Sequence, residues 1–219
     1  MLVATIALAL LGLNGQKPPF DVRASDTGLL QNKAVQQELK LSTDQITRIN
    51  AAEDAYRAEA KRTHSWDSDR EHVAVTKCLN ASQLKRLREI SMQNSGPIVL
   101  IVDFVAERIG AGPARQKQIM GVFNSSINEQ LKPMEKQIDK MVDEEMKSAG
   151  GDPKEIERHS DAIEQKASKI SESVDHDDFV KKAAQKILGT LTPSEKKAWQ
   201  DLQGTPFPLE QLKDRGAAN

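Results

Sequence analysis

Apolar residues recur at three- and four-residue intervals through most of this chain beyond Gly28, and that spacing predicts helices. Leu29, Leu30, Val35 and Leu39 predict a first helix, and Ile46, Ile49, Ala52 and Tyr56 a second. Thr63 to Asp69 breaks the pattern. A short helix from Ser68 to Cys78 follows, and Leu84, Leu87 and Ile90 mark another that stops near Gly96-Pro97. The most regular run is Ile119, Phe123, Ile127, Leu131, Met134, Ile138, Met141 and Met146, a long amphipathic helix in which Pro133 predicts a kink or interruption. Ala149-Gly150-Gly151 predicts a stop, and Asp152-Pro153-Lys154-Glu155 a capped restart. The return helix carries Ile156, Ile163 and Ile170 seven apart with Ala167 and Val174 between, the pattern of a two-helix seam, so a projecting antiparallel hairpin is expected. Asp175 to Asp178 marks a new start before Phe179, Val180, Ala183, Ile187 and Leu188, and a last short helix carries Trp199 and Leu202 up to Gly204.

One short phrase punctuates this pattern three times: Leu41-Ser42-Thr43-Asp44-Gln45, Leu79-Asn80-Ala81-Ser82-Gln83 and Leu191-Thr192-Pro193-Ser194-Glu195. In each, Ser42, Asn80 or Thr192 is followed three residues later by Gln45, Gln83 or Glu195, so the two side chains can satisfy amide hydrogens left unpaired at a helix start. The leading leucine can staple onto Ile46 in the first copy and Leu84 in the second, but meets Lys196 in the third.

After Gly96 the plan restarts. Val35, Leu39 and Ile49 recur at one constant offset as Val105, Ile109 and Ile119, and Leu79, Leu87 and Ile90 recur at a larger offset as Leu191, Trp199 and Leu202. The difference implies an insertion of about forty residues in the second half. Where the first cap belongs, that half has Ala111-Gly112-Pro113-Ala114-Arg115. Gly112 is an acceptable cap and Pro113 suits the first helical residue, but arginine has no acceptor to complete the box, so the motif reads as decayed there. The expected fold is all-α and elongated: two related helical halves, 28–96 and 97–207, the second containing the hairpin at 113–174. A signal-like segment (1–16) and a linker (17–27) precede them, and a flexible tail (208–219) follows.

Composition sharpens this picture. Aromatic residues make up only 4% of the chain and charged residues 29%, which predicts a thin core beneath well-solvated helix faces. Residues Leu2 to Leu13 form an apolar run too short to span a bilayer and of the length of a secretory signal core; the alternative is a buried N-terminal helix. Export is the expected address, with no stable membrane insertion once the signal is removed. A net charge of -1 with both signs interspersed offers no basic stripe for a nucleic-acid backbone.

Catalysis has no foothold in the motifs. There is no phosphate-binding glycine loop, nucleophile elbow, paired-cysteine zinc site or histidine pair on one helical turn, so neither enzymatic activity nor a metal or other cofactor is expected. His64 and His72 flank acidic Asp67, Asp69 and Glu71, and His176 abuts Asp177 and Asp178; solvated turn residues are the preferred reading, a metal-responsive sensor the least favoured. Cys78 reads as a small apolar residue, with a functional thiol or interchain bridge as the alternative. Met134, Met141 and Met146 form one stripe that suits either packing or an adaptable binding surface.

The recurring phrase at Leu41 to Gln45, Leu79 to Gln83 and, more loosely, Leu191 to Glu195, after a signal-like start, resembles the LTXXQ-motif family of Spy/CpxP-like periplasmic proteins. The resemblance implies a small all-helical protein, often a cradle-shaped homodimer, that holds unfolding clients without ATP or serves the envelope stress response. Phe123, Ile127, Met134, Ile138 and Met141 are the candidate client contacts. The competing expectation is a scaffolding protein whose hairpin docks one dedicated partner.

Overall fold

The computed structural model describes residues 17–212 other than 149, 151, 152, 173 and 174. The signal-like segment 1–16, the stop at Ala149 and Gly151, the restart at Asp152, Val174, and the tail beyond Leu212 lie outside the described residues, as do the side chains of Ile156 and His176. The protein is all-α. In chain order the helices are α1 (Phe20–Arg23), α2 (Lys33–Glu38), α3 (Thr43–Thr63), α4 (Ser68–Thr76), α5 (Ala81–Ser95), α6 (Asp103–Arg108), α7 (Pro113–Ser148), α8 (Pro153–Glu172), α9 (His176–Thr190) and α10 (Pro193–Gln203). Short 3-10 helices occupy Thr27–Gln31, Gly96–Ile101 and Leu209–Leu212. The chain forms two compact units, one ending at Gly96 and resuming at Lys197, the other running from Pro97 to Lys196.

In the first unit, Leu29, Leu30, Val35, Leu39, Ile49, Val75, Leu87 and Ile90 close a core together with Phe207 and Leu212. Two expectations are corrected here. The stretch assigned as a linker is folded: Pro19 starts α1, Val22 and Ala24 are buried, and Asp21 pairs with Arg88 at 3.2 Å. The stretch assigned to a flexible tail returns to the core through Leu212, and the Asn32 side-chain amide donates to the Gln211 carbonyl at 3.0 Å. Both segments are too short to show a period, and their order comes from partners far away in sequence. The single helix expected over Leu29 to Leu39 is a 3-10 turn and α2, separated at Asn32, whose side chain caps the amides of Ala34 and Val35.

The second unit repeats this backbone. Under the offset that takes Val35 to Val105, α2 maps onto α6, and the 3-10 turn at Thr27–Gln31 onto Pro97 to Ile101. The hydrogen bonds map as well: the Leu41 amide donates to the Gln36 carbonyl as the Ala111 amide does to Ala106, and Lys40 to Gln37 as Gly110 to Glu107. Lys40 and Gly110 both sit at positive φ, 51° and 86°, where the chain turns between the two helices. Leu100, Val105, Ile109 and Ile119 are buried like their counterparts Leu30, Val35, Leu39 and Ile49.

The halves diverge at the far end of the long helix. Thr63, the last residue of α3, maps onto Pro133, and there α7 does not stop. It continues to Ser148, so that the whole helix has 36 residues and a length of about 54 Å. Pro133 does not interrupt the helix, which corrects one of the two outcomes expected of it: its missing amide removes one ladder bond, and it lies on an exposed face. The short loop between α3 and α4 is replaced by the outer part of α7, the returning α8 and the start of α9. Both α8 and α9 pack against α7.

Candidate functional site

The three capping phrases do more than start helices. In the first unit the Ser42 amide donates to Gln45 Oε1 at 3.2 Å and the Gln45 amide to Ser42 Oγ at 3.1 Å; Asn80 and Gln83 exchange the same two bonds at 2.9 Å each. The two glutamines then meet. Gln45 Nε2 donates to Gln83 Oε1 at 2.8 Å and Gln83 Nε2 to Gln45 Oε1 at 3.2 Å, a reciprocal amide pair. Each amide nitrogen also reaches a backbone carbonyl beside the opposite motif, Gln45 that of Cys78 at 3.0 Å and Gln83 that of Leu39 at 3.1 Å. The start of α3 is thereby bolted to the start of α5, and Gln83 retains only 8% of its exposure.

In the second unit the corresponding positions hold Arg115 and Glu195. Thr192 and Glu195 exchange the same two capping bonds, at 2.7 and 3.2 Å. Arg115 cannot cap its own helix and instead takes up the cross-motif role. Its Nε and Nη2 donate to the two Glu195 carboxylate oxygens at 2.9 and 3.0 Å, and Nη2 also donates to the Thr190 carbonyl, the counterpart of Cys78. Where the first unit has an uncharged amide pair, the second has a bidentate ion pair. The guanidinium of Arg115 holds the Glu195 carboxyl below the usual carboxylate range, against the opposing effect of burial. The apparent decay at Arg115 is thus one half of a matched exchange. The signal was present in the sequence, since both positions differ from Gln45 and Gln83 and carry opposite charges.

These junctions position helices and leave no free group for ligand chemistry. The leading leucines follow suit: Leu41 and Leu79 are half-buried against the first core, and Leu191 is buried. Cys78 is half-buried, and burial pushes its thiol up, away from the thiolate a reactive cysteine requires.

The candidate client contacts lie on α7. Phe123, Ile127, Met134, Ile138 and Met141 are all half-buried, as is Leu131 among them, while Met146 is 45% exposed. Among the described side chains, α7 buries fully only Ile119 and Ser126. The helix thus presents a long, partly open apolar row. Ile163, Ala167 and Ile170 of α8 are half-buried too. Glu145 of α7 receives the Lys166 ammonium and the His159 ring from α8, and Lys166 and His159 hold its carboxyl low. Nearer the base, Lys186 of α9 pairs with Glu129 beside a polar groove of about 440 Å³ lined by Ser126, Gln130, Lys182 and Gln185.

The histidines are scattered. His64 ends α3 at φ 50° and is exposed, His72 is half-buried on α4, and no three His, Cys, Asp or Glu side chains gather to hold a metal among the described residues. No described helix is long and apolar enough to cross a membrane. Comparison with known proteins places no relative beside this chain: no family model, no curated protein and no solved structure matches it.

Proposed function

We propose that this is an exported, non-catalytic, ATP-independent holdase or envelope-stress accessory protein that takes up unfolding segments on its amphipathic helices. The observation that carries the reading is the row from Phe123 to Met141, continued by exposed Met146, along a helix that fully buries only two described side chains. Flexible methionine and branched aliphatic side chains adapt to unlike partners, and the half-covered state limits self-association. Charged residues flank the row on α7, among them Glu135, Lys136, Asp139 and Lys140, and keep a loaded complex in solution. The apolar run Leu2 to Leu13 supports export.

The test is light scattering of several unrelated proteins unfolding in the presence of equimolar full-length chain. Suppression across clients supports the reading, and retention of scattering for all of them ends it. Selective capture of one folded partner, with no effect on aggregation, points to the scaffolding alternative.

A further inference from the structure

The two junctions hold equivalent helix starts by different means, and only one of them titrates. Gln45 and Gln83 join α3 to α5 through uncharged amides. Arg115 and Glu195 join α7 to α10 through a carboxylate that accepts two guanidinium bonds and the Thr192 amide. We propose that the second junction is an acid-released catch: protonation of Glu195 frees the start of α10 from α7 while the first junction stays closed.

The geometry makes Glu195 the single point of failure. Among the described residues, the charged group that acts on its carboxyl is Arg115, from α7; α9 contributes the Thr190 carbonyl, which binds the guanidinium, and Thr192, just before α10, contributes its amide and hydroxyl. Gln118, one turn further along α7, accepts from Arg115 Nη1 at 2.9 Å and is neutral. A protonated Glu195 keeps one carbonyl oxygen that accepts without charge assistance, while its other oxygen carries a hydrogen that opposes the remaining donors. Arg115 stays charged at any accessible pH. The sign follows from the direction of the shift: with the folded-state value depressed, the contribution to stability is fully present above the ordinary glutamate range and is lost as pH falls through the folded value. The first unit carries the opposite case in Glu53. Burial raises its carboxyl, so acid relieves that group.

Amide hydrogen exchange, read as protection relative to the intrinsic rate at each pH, compares the two junctions within one molecule. Between pH 6 and pH 3, protection of the Thr192, Glu195 and Lys196 amides is expected to fall at least about tenfold further than that of Asn80, Gln83 and Leu84. Glu195→Gln, and separately Arg115→Gln with Glu195→Gln, are expected to abolish the excess fall. Equal losses at both junctions, unchanged protection at the second, or an excess fall that persists in a folded variant would each overturn the proposal.

Discussion

If the amide pair and the ion pair are two solutions to one docking problem, the second can be transplanted into the first. The perturbation is Gln45→Arg combined with Gln83→Glu. Alone, Gln83→Glu removes the donor that serves Leu39 and Gln45 and sets a carboxylate, almost fully buried, against those two acceptor oxygens. A buried charge without its partner is expected to cost about 2–4 kcal/mol. Gln45→Arg alone keeps the bonds to Cys78 and Gln83 Oε1 but turns the guanidinium toward the Gln83 amide nitrogen and strips the Ser42 amide of its acceptor, at about 1–3 kcal/mol. Together they form the bidentate pair and leave only the Ser42 amide and the Leu39 carbonyl short of a partner, a residue of about 1–2 kcal/mol. The double-mutant cycle therefore predicts a coupling of about 2–5 kcal/mol in favour of the pair. Urea unfolding of the wild type, both single variants and the double variant measures it, with the midpoint shift of each compared at a common slope. A double variant as unstable as the sum of the singles would refute the equivalence of the two junctions.

Three further outcomes are expected. Gly204 sits at φ 62° with Glu89 Cδ 2.2 Å from where a β-carbon would stand, and Glu89 is itself held by Arg86 at 3.2 Å, so Gly204→Ala should cost about 2–3 kcal/mol in thermal unfolding. The Tyr56 hydroxyl meets the backbone of Asp67 at 2.5 Å while its ring packs edge-on to Trp66; Tyr56→Phe should cost about 1–2 kcal/mol and shift the fluorescence of that 61% exposed indole. Glu53, raised by burial, contributes most below its unfolded value and loses that contribution as pH rises through the folded one, so the stability of Glu53→Gln relative to wild type should improve from pH 4 to pH 8 in denaturant titrations.

Helix starts at Ser42, Asn80 and Thr192 were legible because a cap is a local device, complete within four residues. The periods that placed α3, α5 and α7 were legible for the same reason: each helix shows one apolar face. What no local pattern shows lies between residues far apart. Arg115 makes sense only beside Glu195, and the stretches around Val22 and Leu212 only beside α5 and α2. At Pro133 a break is not forced, because a proline on an exposed face costs one ladder bond while α8 and α9 pack along the same helix. The row from Phe123 to Met141 could be read as a face, but how far α8 and α9 cover it depends on side-chain packing that no period encodes.

Phe207 and Leu212 complete a core begun at Leu29 and Leu30, and this has a bearing on how the chain comes into being. On the ribosome, the earliest helices emerge with one wall of their interior missing, and the wall arrives only after the entire hairpin has been synthesised. Until then the nascent first unit exposes oily surface, so that its closure waits on synthesis of everything between Gly96 and Phe207.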